Sequence, residues 1–301
     1  MDDYIVYFNG QWIPSSKVAI DPLDRGFYLG DAVFDVERTF NGKSFRMKEH
    51  IERLYRSLQY VRIDPGLTAE EMIDISEEAI KRNEHLRAKV GDFTVHQFIT
   101  RGHGRRAWGT LQPTVGVRIN AIPFDTYAQG YVEGIHGAVT RTRSYSPEAL
   151  DPKVKHYSRM NFNLAELEAN DVEKEALPVM RDENGNLTEG SGYNVFLVAN
   201  GVIKTPTDRA LLQGVSRGMV FDLARQLNIS VIEENLQPYD LYTADEAFLA
   251  STSYCVLPMT QVDRREIGDG KPGPVTQQLL AAWSEAVGIG IIDQAMRFSK
   301  T

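Results

Sequence analysis

Lys155 and Glu189 sit in contexts that suit chemistry. Lys155 ends the run Asp151-Pro152-Lys153-Val154-Lys155 and precedes a polar helix start. Glu189 lies between a polar turn, Asp182-Glu183-Asn184-Gly185-Asn186, and the apolar run that starts at Tyr193, with Gly190, Ser191 and Gly192 directly after it. Such small residues let backbone or ligand approach closely. Downstream, Gly214-Val215-Ser216-Arg217 reads as a turn into a helix, whose free N–H groups and dipole bind phosphate without a basic side chain. Ser251-Thr252-Ser253 at a strand end adds hydroxyls, and Arg53 adds a charged fork. Singly, each has a plainer reading: Lys155 and Arg53 as solvated surface residues, Glu189 as a turn residue. Together they supply an amine that forms an imine, a carboxylate that keeps a pyridine nitrogen protonated, and a phosphate cradle. Those are the requirements of pyridoxal 5′-phosphate. A lysine held out of water beside it is a nucleophile and base, because desolvation disfavours the ammonium form.

The elements that must position these groups follow from pattern. Asn9-Gly10, Asn41-Gly42 and Asn200-Gly201 each separate two strand-like runs, which predicts tight hairpins and antiparallel pairs. Strands are expected over 33–40, 93–100, 114–122, 135–141, 177–181, 193–199 and 247–250. Ile51, Leu54, Leu58 and Val61 repeat at helical spacing, predicting a helix over 48–61. Thr68 with Glu71 reads as a capping box opening a helix that runs to about Asn83. Further helices are expected over 158–170, from Val215 to Leu227, and from Pro274 to Ala286. The organisation read from this is a small N-terminal α/β domain over 1–122, an interdomain linker over 123–134 and a large C-terminal domain over 135–301.

Composition narrows the classes. The chain has 301 residues, 42% apolar and 25% charged, and a net charge of −8. An acidic chain is not expected to have nucleic acid as its main partner. The lone Cys255 excludes a disulfide framework and a cysteine-rich zinc site, and no metal is expected. No apolar run reaches the length of a membrane span. The start Met1-Asp2-Asp3-Tyr4 lacks the pattern of a signal peptide, so a cytoplasmic protein is expected.

The chain resembles the fold-type IV pyridoxal phosphate-dependent aminotransferases, a family containing branched-chain, D-amino acid and (R)-amine transaminases. The resemblance is carried in order by Asp31-Ala32-Val33-Phe34-Asp35, Glu49-His50-Ile51-Glu52-Arg53-Leu54, Pro152-Lys153-Val154-Lys155 and Thr188-Glu189-Gly190-Ser191-Gly192-Tyr193-Asn194. It continues with Leu212-Gln213-Gly214-Val215-Ser216-Arg217, Ala244-Asp245-Glu246-Ala247-Phe248, Ser251-Thr252-Ser253 and the run from Gly270 to Thr276. The lysine-to-glutamate interval (189 − 155 = 34) also fits. The resemblance implies an α/β protein of two domains, mixed α+β and α/β, with the cofactor between them, working as a homodimer or higher. It implies that Lys155 is the Schiff-base lysine and moves a proton between the substrate's α-carbon and the cofactor. Glu189 would pair with the pyridine nitrogen, and Leu212 would pack on the ring. Arg53, Gly214, the N–H groups of Val215 and Ser216, and Thr252 would bind the phosphate. One departure stands out: branched-chain enzymes have a tyrosine five residues after the lysine, and this chain has Met160, with Tyr157 nearby.

The implied reaction is ping-pong transfer of an amino group from a small-molecule donor to a 2-oxo acid acceptor. The substrate signature is mixed. Phe34 and Arg38 are closer to the branched-chain pattern. The loop with Arg101, His103 and Arg105 resembles the carboxylate-holding loop of D-amino acid enzymes. Tyr193 is similar to the (R)-amine enzymes. Tyr28, Phe34, Trp108 and Tyr193 are candidate pocket walls, with Ser253 as a further substrate contact. An aminodeoxychorismate lyase of the same family and a non-catalytic cofactor-binding protein are the rival readings.

Overall fold

The computed structural model describes residues 3–108 and 111–299. Met1 and Asp2 at the N-terminus, and Gly109 at the end of the arginine loop, lie outside the described residues. By its internal contacts the chain forms two compact units: Met1–Ile122 with Val154–Arg159, and Pro123–Lys153 with Met160–Thr301.

The first unit contains β1 (Ile5–Phe8), β2 (Gln11–Pro14), α1 (Arg25–Leu29), β3 (Ala32–Phe40), β4 (Lys43–Ser44), α2 (Met47–Val61), α3 (Ala69–Val90), β5 (Phe93–Thr100) and β6 (Val115–Ala121). Its strands form an antiparallel sheet in the order β2-β1-β6-β5-β3-β4. At Asn9 and Gly10 both φ angles are positive (48° and 83°), as the tight hairpin requires. Ile51, Leu54 and Leu58 of α2 are buried against Val33, Val95 and Ile99 of the sheet, so the helical stripe faces the core as expected. Thr68 and Glu71 form the reciprocal capping box: Glu71 N–H donates to Thr68 Oγ1 at 3.1 Å and Thr68 N–H to Glu71 Oε2 at 2.7 Å.

α3 runs past Asn83 to Val90, seven residues beyond the expected end. Asn83 is not a stop. Its side chain brackets β1, accepting from Ile5 N–H at 2.9 Å and donating to Ile5 O at 2.7 Å. Leu86 and Val90 then carry the apolar face onward.

Residues 154–159 belong to the first unit, a correction to their expected place in the C-terminal domain. The open edge at the start of β3 takes them as an extended neighbour. Phe34 N–H donates to Lys155 O at 2.9 Å and Tyr157 N–H to Ala32 O at 3.0 Å, around a bridge between Val33 and His156. The backbone of this segment finds its partners there.

Alternate residues of β3 face opposite ways. Asp35 and Glu37 point to the helices, where Glu37 is fully buried. Gln97 Nε2 donates to Glu37 Oε1 at 2.6 Å and to Ser76 Oγ at 2.9 Å. Among the described residues, Glu37 Oε2 and Gln97 Oε1 have no hydrogen-bond partner. Burial pushes the Glu37 carboxyl well above its usual range, and the Asp35 charge adds to this. A raised folded pKa means that this group's stability is fully present below the unfolded value of about 4.3 and is lost as pH rises. Glu37→Gln keeps the shape and stays neutral. It should raise the melting temperature by roughly 2–4 °C at about pH 8 and leave it unchanged near pH 4. A difference equal at both pH values would contradict this account.

The second unit contains α4 (Gly130–Glu133), β7 (Ile135–Arg143), α5 (Met160–Val172), β8 (Leu177–Arg181), β9 (Glu189–Gly190), β10 (Tyr193–Ala199) and β11 (Val202–Pro206). It continues with α6 (Val215–Gln226), β12 (Val231–Glu234), α7 (Pro238–Tyr242), β13 (Glu246–Ser251), β14 (Cys255–Val262), β15 (Arg265–Glu266), α8 (Pro274–Val287) and α9 (Ile291–Phe298). The sheet is mixed, in the order β12-β11-β10-β13-β14-β7-β8, with β9 paired to β10 and β15 to β14. β14, β7 and β8 run parallel, while β13 is antiparallel to both its neighbours.

The expected linker over 123–134 is instead a packed part of this unit. Phe124, Tyr127, Ala128 and Tyr131 are buried. Tyr127 Oη donates to Ser253 O at 3.1 Å and Tyr131 Oη to Tyr254 O at 2.7 Å, which fixes the turn between β13 and β14. Pro and Gly in this stretch shape short helical turns around anchored aromatics.

Candidate active site

On the first unit Lys155, Phe34 and Tyr157 gather on the sheet face opposite the helices. Lys155 N–H donates to Ser57 Oγ at 3.2 Å, and Lys155 Nζ lies 4.8 Å from the centre of the Phe34 ring. Tyr157 stacks on the same ring, 4.6 Å away and 8° from parallel. In an extended segment residues two apart share a side, so Tyr157 accompanies Lys155. The helix begins only at Met160, which is 67% exposed. Tyr157 Oη is 2.8 Å from His96 Nε2, and burial raises its pKa to about 12, against an opposing pull from Arg118.

Arg53 is buried on α2, not a surface residue. Its Nε and Nη2 donate to Asp35 Oδ2 and Oδ1 at 2.8 and 2.7 Å, and His50 Nδ1 lies 2.7 Å from Asp35 Oδ1. Burial by itself would raise the Asp35 pKa. The Arg53 charge and the His50 hydrogen bond more than reverse this, holding the carboxyl well below its usual range. His50 is kept neutral by burial and by the Arg53 and Lys155 charges, despite Asp35. Asp35 is thus the group that orients Arg53. Sequence reasoning missed it, although strand alternation turns Asp35 toward α2 and three-residue spacing puts His50 beside Arg53.

On the second unit Glu189 is 5% exposed. Its Oε2 accepts from Leu212 N–H at 3.0 Å and from Asn194 Nδ2 at 3.3 Å. Asn194 Nδ2 also donates to Leu212 O at 3.0 Å, so one amide ties β9, β10 and the 212 turn together. Asn194 is a second residue the sequence reading passed over. Gly214 is the N-cap of α6 and makes no side-chain cap bond. A Cβ there would lie 2.2 Å from Asn194 Oδ1, so only glycine lets the turn approach Asn194 this closely. Val215 and Ser216 open the helix behind it. Arg217 is engaged elsewhere, donating to Pro206 O at 3.0 Å. Thr252 and Ser253 form the turn that Tyr127 and Tyr131 hold.

Several expected substrate contacts are placed otherwise. Arg101 is committed within its own unit: Nε donates to Asp31 Oδ2 at 2.8 Å, Nη1 to Arg62 O at 3.0 Å and Nη2 to Val61 O at 2.7 Å. It closes the end of α2 instead of offering a free fork. Arg38 is buried with its guanidinium 4.0 Å from the Phe40 ring centre. It lies four residues, about 13 Å, along β3 from Phe34. Tyr193 projects from β10 on the side opposite Asn194. Its hydroxyl donates to Pro178 O at 2.8 Å and its ring lies against Gly190. His103 is exposed and bridges Asp24; Arg105 and Trp108 are exposed, with Trp108 against Arg106. Tyr28 is exposed on α1.

The sequence family described as Amino-transferase class IV matches residues 32–262. The chain is 35% identical over 278 residues to a Methanocaldococcus jannaschii protein provisionally named a branched-chain-amino-acid aminotransferase, covering 91% of this chain and 93% of that one. It is 29% identical over 285 residues to D-alanine aminotransferase of Staphylococcus haemolyticus, covering 94% and 97%. Among solved structures, the branched-chain aminotransferase of the archaeon Thermoproteus uzoniensis with norvaline superposes with a TM-score of 0.82 at 25% identity, covering 99% of this chain and 97% of that one. With the match to the family spanning most of the chain, this protein belongs to the class IV aminotransferases and is a transaminase.

Proposed function

We propose that the chain holds pyridoxal 5′-phosphate and transfers the amino group of branched-chain-like amino acids to a 2-oxo acid in two half-reactions. The residues present fit that cofactor. Gly214 leaves the start of α6 without a side-chain cap, as a phosphate-binding turn needs. Glu189 is a buried carboxylate with one oxygen held by two donors, suited to a pyridinium N–H. Arg53, oriented by Asp35, adds positive charge for the phosphate. Leu212 and Thr252 are assigned to the ring face and the phosphate.

When bound, pyridoxal phosphate supplies the electron sink that makes the substrate's α-proton removable. The chain supplies the rest. Lys155 Nζ takes that proton and returns it. Phe34 and Tyr157 form an aromatic wall beside the amine. Glu189 keeps the pyridine nitrogen protonated.

The commitment of Arg101 to Asp31 and the α2 carbonyls carries the substrate preference. A carboxylate clamp of the D-amino acid kind needs that fork free. The position of Tyr193, turned to Pro178, likewise weighs against an (R)-amine pocket. A homodimer is proposed because Leu23, Phe27 and Leu29, on and before α1, expose apolar side chains that a second copy would cover. A cytoplasmic location fits a chain whose one cysteine, Cys255, is buried and has no second cysteine to pair with.

The test is to mix the yellow protein separately with L-leucine, D-alanine and (R)-phenylethylamine, without acceptor, and follow the visible band. Rapid bleaching by L-leucine alone is expected. Bleaching by D-alanine or the amine in its place would overturn the preference. No bleaching by any, with a normal starting spectrum, would favour a lyase.

A further inference from the structure

Ser57 is buried on α2, four residues after Arg53 and seven after His50. The three therefore lie along one side of the helix, beside the apolar stripe of Ile51, Leu54 and Leu58. None of the sequence motifs includes Ser57. Its hydroxyl works in both directions. Oγ–H donates to Arg53 O at 3.1 Å, one turn back, and Oγ accepts from Lys155 N–H at 3.2 Å. A serine inside a helix often makes the first of these bonds. It directs the hydroxyl hydrogen along the helix and leaves a lone pair for the lysine's amide. The second bond is what this fold adds.

That second bond decides how the lysine is held. Lys155 O accepts from Phe34 N–H at 2.9 Å and Tyr157 N–H donates to Ala32 O at 3.0 Å, so β3 fixes the segment along one edge. Val154 is buried in the same cluster as Leu54 and Leu58, and on the other side of the extended chain the Lys155 amine lies by the Phe34 ring. An edge segment bonded to one strand can still twist about the strand direction. A bond from Lys155's own N–H to α2 opposes that twist at the residue whose amine must stay in one place. The same hydroxyl reaches the turn that carries Arg53, whose guanidinium Asp35 orients. We propose that Ser57 is a positioning residue for the transamination. It keeps the Lys155 amine in fixed register with Arg53, so that the group taking the substrate's α-proton and returning it is already in place. This rests on the transaminase reading above and adds to it a residue that acts through the backbone of Lys155.

The test compares the parent holoenzyme with Ser57→Ala and Ser57→Thr. Alanine removes the hydroxyl, whereas threonine keeps one that can still bond one turn back. Each protein is mixed with whichever of the three donors bleaches the parent, unlabelled and deuterated at the α-carbon, and the rate is read on the cofactor-loaded fraction. Ser57→Ala should load as the parent does and bleach about 10–100-fold more slowly at saturating donor, with the half-saturating concentration within about twofold. The slowed step should show a deuterium effect, which marks it as the proton transfer. Hydrogen exchange of the Lys155 amide gives a reading without turnover: it should speed up about fivefold or more in Ser57→Ala, the worth of one hydrogen bond. Ser57→Thr should restore most of the rate and of the protection. If its extra methyl group prevents folding, the rate, isotope effect and exchange of Ser57→Ala still decide. A parental rate in loaded Ser57→Ala, a slowed rate without a deuterium effect, or unchanged amide exchange would each overturn the proposal. Lost cofactor with a parental rate on the loaded fraction would make Ser57 a purely structural part of α2 and overturn it likewise. A parent that bleaches with none of the donors would overturn the transaminase reading, and the proposal with it.

Discussion

Lys155→Ala should lower transamination by about 10⁴-fold, the upper end for loss of a positioned acid–base group, or about 5.5 kcal/mol in barrier. The fold should survive. The segment is anchored by backbone atoms, with Lys155 N–H on Ser57 Oγ and Lys155 O accepting from Phe34 N–H, and alanine keeps both. The side chain lies with its Nζ 4.8 Å from the centre of the Phe34 ring. The melting temperature is therefore expected to change by no more than a few degrees, while the visible band disappears. Because the missing function is an amine at one place, added methylamine should restore part of the rate in proportion to its concentration. Retention of a few per cent of parental turnover without added amine would remove Lys155 from the proton-transfer role. A collapsed melt would show instead that the side chain is structural, contrary to the hydrogen bonds.

The sequence made much of this legible where local rules decide the outcome. The Asn-Gly hairpins, the capping box at Thr68 and the strand ending at Ala199 are set by neighbouring residues, and the structure has them. What it hid depends on residues far apart in the chain. Residues 123–134 look like a linker by their Pro and Gly content, but Tyr127 and Tyr131 find carbonyls 126 and 123 positions away. Arg53 looks like a surface arginine until Asp35, on another element, is placed beneath it. Arg101 looks like a free substrate clamp until Asp31 and the end of α2 claim it. The polarity of a residue says that it needs a partner, not which one. Where partners lie three residues along a helix or two along a strand, periodicity finds them. Across β3, β5 and β6, as for Phe34, His96 and Arg118, only the register does.

Glu189→Gln is the sharper test of how the second unit's residues act, because it changes charge without changing shape. The Oε2 position receives two donors, Leu212 N–H and Asn194 Nδ2. A glutamine must therefore put its carbonyl oxygen there, since an NH₂ in that place would face two N–H groups. Its own NH₂ then takes the other position. If that position meets the pyridine nitrogen, the amide donates to it and the nitrogen stays unprotonated. The 212 turn, Asn194 and the Gly214 cap keep their geometry, so the cofactor content should equal the parent's. Turnover should nevertheless fall by about 10²–10³-fold, or roughly 3–4 kcal/mol, because the electron sink is weakened in the step where charge develops. Glu189→Ala would remove the anchor for Leu212 and Asn194 as well, so it should lose cofactor in addition to rate. The pair separates electronics from architecture. Near-normal turnover in a fully loaded Glu189→Gln protein would mean that Glu189 only ties β9 to the 212 turn.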